Sequence, residues 1–353
     1  MGYAADVERL ENELAALEGS EEAAHEDLER ATTLAYRRYE LGSLRGDLAE
    51  VETADLLVDD LLHRVGAWPD LCVLKATIDV KLHRVADVPA RLDRVPGLAV
   101  SADGRRLLGD AAVQEGAWDE ARELLRDASS WQDLVRLGEL ERLLGRYDEA
   151  DRLYAEAEDE LTAKQMRSYA WVEVQRGLLD VARGRHAEAR AHYDVAERAY
   201  PGYWFVAEHV AALLVAEGRI EAGALLYETL VARPELLEAL ARVYEQLGRP
   251  DDARSCRDRA LAVYLASVER GHVHYLHHLA ELCEGRDAVH WAREDLRVRR
   301  GPQGRATLAW ALHRNGEASA AADEMEKALA SGLSGSTLAR RAATVFAAAG
   351  RAR

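Results

Sequence analysis

The chain has 353 residues, a formal net charge of −17, and 48% hydrophobic and 31% charged residues. That length holds either two or three ordinary domains or one long repeat array. Its acidic residues are scattered rather than gathered in a tail. Such a surface repels phosphate backbones and anionic lipid, so neither nucleic acid nor membrane is expected as a partner. Ala, Leu, Glu and Arg dominate, Pro numbers seven and Phe two. These are helix formers, and little is left from which to build a sheet.

The first segment, Met1 to Gly19, intersperses Asp6, Glu8, Arg9, Glu11 and Glu13 among apolar residues. It lacks the apolar centre of a secretory signal. Asp6 stands where a myristoylation site prefers a hydroxyl residue. No apolar run approaches the roughly 18 residues of a membrane span. Cys72, Cys256 and Cys283 form no paired motif, which fits reduced thiols and a cytoplasmic location. Glu8 to Leu17 and Glu21 to Tyr39 read as charged capping helices.

From there a unit recurs: a helix, a Gly-containing turn, then a helix opening on Asp/Glu-x-Ala. Copies run Leu144–Ala150, Arg183–Ala189, Glu217–Gly223, Leu247–Ala253, Asn315–Ala321 and Glu115–Ala121, with an eroded one at Arg45–Val51. In Leu82–Ala86, His83 replaces the glycine. Glycine stops the first helix in the left-handed conformation, the acid complements the dipole of the second, and the closing small residue permits close approach.

With Leu137 and Gly138 upstream of Gly145, Ala150, Tyr154 and Ala157 downstream, and a second set of Gly177, Gly184, Ala189, Tyr193, Ala196 and Pro201, the pattern resembles the tetratricopeptide repeat family. The resemblance implies an all-α, right-handed superhelical stack of antiparallel helix pairs, an α-solenoid, with first helices lining a concave groove. About nine pairs are expected from Thr32 onward. The predicted organisation is N-terminal capping helices over 1–31, degenerate repeats over 32–130, well-formed repeats over 131–332 and a capping helix over 333–353. Arg257 departs from the usual Tyr or Phe. Val95 to Arg106, with Pro96, Gly97 and Gly104, reads as the loosest joint.

Gly-rich phosphate loops, G-x-S-x-G, Cys-x-x-Cys and His-Glu-x-x-His are all missing. A site must therefore come from side chains on neighbouring first helices. In the segment Gly271 to Glu281, helical spacing puts His274 and His278 one turn apart, with His277 and Glu281 beside them. Leu276, Leu279 and Cys283 then face the core. Such a set could ligate a divalent transition metal, Zn, Fe, Ni or Cu, or line a polar groove without metal. Glu238, Arg242 and Glu245 precede it on the same face, and Trp310 and His313 follow. Upstream, Glu208 and His209 point inward and could serve acid–base chemistry.

Trp171, Phe205 and Trp310 are predicted groove anchors, whereas Tyr154, Tyr193 and Tyr227 are assigned to the core. A basic clamp for C-terminal carboxylates is not expected, since Arg136, Arg142, Arg242, Arg340 and Arg341 are dispersed. The sequence thus predicts a scaffold holding a peptide, protein or small molecule near Trp171, Phe205, Glu208, His209, Glu238, Arg242, His274, His278, Trp310 and His313. The alternative is a metal-dependent enzyme or metal-binding protein using His274, His277, His278 and Glu281.

Overall fold

A computed structural model describes residues 2–18, 28–126 and 130–351. Among them lie twenty α-helices and no strand. Helix α1 (Tyr3–Glu18) leads into nine pairs. These are α2 (Leu28–Arg45) with α3 (Leu48–Val65), and α4 (Pro69–Lys81) with the short α5 (Val88–Leu92). Then come α6 (Ala102–Glu115) with α7 (Trp118–Leu124), α8 (Trp131–Leu143) with α9 (Tyr147–Asp159), and α10 (Met166–Ala182) with α11 (His186–Ala199). The last four are α12 (Trp204–Ala216) with α13 (Ile220–Glu228), α14 (Pro234–Gln246) with α15 (Pro250–Glu269), α16 (Leu276–Leu282) with α17 (Gly285–Val298), and α18 (Pro302–Arg314) with α19 (Ala318–Ala330). Helix α20 (Ser336–Ala348) ends the stack. Residues 21–27 of the second expected capping helix lie outside the described residues.

The recurring residues have packing reasons. A Cβ on Gly138 would stand 2.7 Å from the Tyr154 ring, and one on Gly177 only 2.2 Å from Tyr193. In these two pairs the glycine of the first helix therefore seats the tyrosine of its partner, and Tyr154, Tyr193 and Tyr227 are buried as expected. Where Arg257 replaces the aromatic residue, it pairs with Glu245. His83 takes the role of its missing glycine with φ +61°, the sole positive φ of a non-glycine among the described residues. The Val95–Arg106 joint is packed. Val95 and Leu98 rest on the core of the first pairs, Ser101 Oγ accepts the Gly104 amide at 3.1 Å, and a Cβ on Gly104 would meet the Leu98 carbonyl.

The stack curls round until its beginning meets its end. Tyr3 N donates to Pro201 O, and Tyr200 Oη donates to Asp6 at 2.7 Å. Leu10, Leu14, Leu41 and Leu44 share one core with Ala170, Tyr193, Tyr200, Tyr203 and Val206. From there the turns of the early pairs dock, in order, on the linkers between the late ones. At Gly46, Trp204 Nε1 donates to Leu44 O at 2.8 Å and Arg233 Nε to Arg45 O at 2.6 Å. His83 meets His277, with ring centroids 5.6 Å apart. A Cβ on Gly116 would collide with Pro302 at 2.4 Å. Beyond it Trp118 Nε1 donates to Ser331 O at 2.7 Å, and Ser334 N to Leu143 O at 2.8 Å. The sequence analysis predicts a concave groove lined by first helices and gives no sign of this closure. The concave face is enclosed because the early turns cover it.

Candidate functional site

His83 in the turn after α4, with His272, His274, His277 and His278 after α15, builds an imidazole-rich wall inside this closure. The long helix α15 stops at Glu269, Gly271 reverses the chain at φ +89°, and residues 272–275 are needed to reach the start of α16. His274 therefore lies in the connection and not on a helix, so the expected one-turn pair of His274 and His278 does not form. Leu276, Leu279 and Ala280 do face the core. His278, on α16, turns Nδ1 to Glu238 Oε1 at 2.6 Å, and Tyr264 Oη donates to the same oxygen at 2.5 Å. Stacking on Tyr264 and contact with His277 fix its ring.

The other end of the wall is organised by Glu52 of α3, which the sequence analysis did not single out. Its carboxylate accepts from Ser267 Oγ at 2.8 Å and Arg270 at 2.9 Å. His272 and His274 approach it at 3.3 and 3.4 Å. At that separation His274 lacks the alignment of a hydrogen bond, so both of its ring nitrogens are buried without a partner among the described residues, as is His277 Nδ1. Burial, with neighbouring His272 and His83, pushes His274 down to about 3. His83, buried near Arg299, is pushed down to about 4, and burial holds His277 well below the usual imidazole range. At neutral pH these rings are uncharged donors and acceptors. Beside them, a cleft of about 440 Å³ opens between Arg45, Asp47, Glu52, Arg233, Arg270 and Tyr275.

The remaining predicted residues separate. Glu281 forms a two-bond pair with Arg341 at 2.6 and 2.8 Å, away from the histidines. Arg341 also covers the Trp310 ring, on which His313 stacks. Among the described residues no group of three or more His, Cys, Asp and Glu is arranged to hold a metal ion. His209 Nδ1 donates to Phe205 O at 2.7 Å, and burial lowers its basicity. Glu208, its neighbour in sequence, is pushed up to about 7 by burial and by Glu235. Their partners differ, and they do not form an acid–base pair. Arg242 is exposed, 3.8 Å from Glu238, and Trp171 rests partly buried on the core of the pairs beside it. His83 was visible in the sequence only as a missing glycine. Glu52 and His272 gave no signal, because closure alone brings them to the site.

Repeated helix pairs, glycine-seated tyrosines and a concave face formed by the first helices define a tetratricopeptide-type α-solenoid. Its backbone is similar to that of the human IFIT1 dimer with PPP-AAAA, at a TM-score of 0.54 and 16% identity, over 86% of this chain and 72% of that one. The human IFIT1 dimer with m7Gppp-AAAA aligns with a TM-score of 0.54 and 15% identity, over 89% and 76% of the two chains. The Pseudomonas aeruginosa pilF structure matches 57% of this chain and 94% of its own, at 20% identity and a TM-score of 0.42. No protein-family model and no curated protein matches the sequence. At these identities the likeness is one of fold.

Proposed function

We propose that this protein is a non-enzymatic binding protein that holds a small polar molecule in its enclosed concave face. The observation that carries this reading is the docking of early turns on late linkers, which leaves the inner faces of the first helices opposite one another. An extended peptide would have to displace Trp204, Arg233 and Trp118 from their bonds across the closure. A small polar molecule would meet charged and neutral imidazole side chains without that cost. The buried thiols of Cys72 and Cys256 suit a cytoplasmic setting, which belongs to the same proposal.

Native mass spectrometry of the intact protein, purified without a polyhistidine tag, tests the reading. A bound species of small-molecule mass that leaves on denaturation is the expected result. Bare polypeptide alone, together with a panel of polar metabolites that moves no melting temperature, would overturn it. Nucleic acid remains excluded in this proposal, although the similar IFIT1 structure holds PPP-AAAA. The acidic net charge opposes such a ligand. Salt-dependent binding of PPP-AAAA to this chain would reverse that exclusion.

A further inference from the structure

The docking of the Gly46 turn leaves a charge without a partner. Arg233, in the linker before α14, is held from two sides. Its Nε donates to Arg45 O at 2.6 Å, and its guanidinium lies 4.1 Å from the centre of the Trp204 ring. Neither contact supplies a full negative charge. Among the described residues no carboxylate lies within ion-pair distance, and Glu208 and Glu235 act on Arg233 only from further away. Burial pushes the guanidinium below its usual range, and its other polar neighbour is the Tyr3 hydroxyl.

Arg233 borders the cleft of about 440 Å³ described above. The other charged groups of its lining are already matched. Arg45 pairs with Glu11, and Arg270 donates to Glu52 at 2.9 Å. Glu52 also accepts from Ser267, and Asp47 caps α3 by accepting the Ala49 amide at 3.0 Å. Between these groups the lining is apolar, with Leu48, Ala49, Ala232, Pro234 and Val263. Val263 is left 44% exposed there. The walls come from turns, linkers and the second helices α3 and α15, so this cleft is distinct from the concave face of the first helices. It joins one unmatched cation to an uncovered apolar surface.

We propose that this cleft binds a small organic monocarboxylate, its carboxylate paired with Arg233 and its apolar body resting on Leu48, Pro234 and Val263. The planar guanidinium fork matches a carboxylate, and a side chain already fixed by a backbone bond and a ring loses little freedom on pairing. One unmatched cation selects a single negative charge, because a dianion would bring a second charge with no partner. The volume lies in the lower part of the range of small-molecule sites, which suits a compact ligand. The site stands apart from the enclosed face and does not depend on a molecule held there.

Ligand-observed NMR titration of the intact protein, with acetate, butyrate and hexanoate as probes and hexanamide as control, tests it. Affinity is expected to rise roughly fourfold per added methylene, the gain from burying one such group. Hexanamide, which lacks the charge, should bind at least about tenfold more weakly than hexanoate. R233Q removes the cation, but it also removes a bond of the closure. V263E keeps every bond of the closure and puts a carboxylate where the apolar body would lie. Each variant should weaken hexanoate binding at least about tenfold, and V263E decides the matter if R233Q fails to fold. No binding of hexanoate by wild type, equal binding of hexanamide, or unchanged affinity in folded R233Q or V263E would overturn the assignment. A co-purifying molecule that V263E retains belongs to the enclosed face, which keeps the two sites distinguishable.

Discussion

Lys75 is the most deeply buried Lys or Arg among the described residues, with 2% of its side chain exposed. It bonds Asp55 at 2.5 Å and Asp59 at 2.6 Å, and Arg84 grips the other side of Asp55 at 2.7 and 2.8 Å. Burial raises the Asp55 carboxyl, but Arg84 and Lys75 outweigh it and hold the group below its ordinary range. The stability it contributes is present above the ordinary carboxyl range and is lost as pH falls through the lowered value. Replacing Lys75 by Ala leaves a buried charge short of a partner, and urea unfolding should report a loss of about 3–5 kcal/mol. A loss below about 1 kcal/mol would mean that Arg84 alone neutralises Asp55.

The buried histidines act in a different window. An unfolded imidazole takes a proton near pH 6.5, but His274 does so at about 3 and His83 at about 4. Between those limits the unfolded chain binds the proton and the folded chain does not, so stability falls with acidification. Glu208, raised to about 7, works the other way: its contribution is present in acid and lost as pH rises toward that value. A comparison of wild type with H274N isolates the histidine. Their difference in unfolding free energy should shrink by up to about 1.4 kcal/mol per unit below pH 6.5. A difference that is constant from pH 7.5 to 5 would contradict the buried neutral ring.

Among the elements, the helix pairs were legible because each carries local markers. Gly138 with Tyr154 and Gly177 with Tyr193 announce a packing contact through residue size alone. The start of α16 was not legible. Helical spacing from His274 to His278 looked continuous, and the reversal after Gly271 depends on how α15 meets the following pair. The glycine turns hold a second function that the repeat pattern hides. Gly116 and Gly184 share a left-handed φ, +77° and +72°. A Cβ at Gly116 would strike Pro302, whereas Gly184 has open space around it. Alanine at either position carries a conformational cost of roughly 1 kcal/mol. G116A should lose about 1–2 kcal/mol more and speed amide exchange in residues 299–304, with helix content unchanged. Equal losses in the two variants would show that the closure contributes no stability.

Over the whole molecule, the repeat architecture was readable and its closure was not. Trp118 and Ser331, or Trp204 and Leu44, are joined by side-chain-to-carbonyl bonds across distant parts of the chain. Bonds to a backbone carbonyl leave no mark on the sequence of the accepting residue. Of the candidate residues in the sequence, His274 therefore approaches Glu52 and His277 meets His83, both from the N-terminal half of the chain. Enclosure is the central claim, because the small-ligand reading depends on it.

Small-angle X-ray scattering of the intact protein tests that claim most directly. A compact chain of 353 residues has a radius of gyration of about 20 Å, and the closed stack should fall within a few ångströms of it. An open array of ten helix layers at about 10 Å each would exceed roughly 30 Å, and a value in that range would contradict the enclosed concave face.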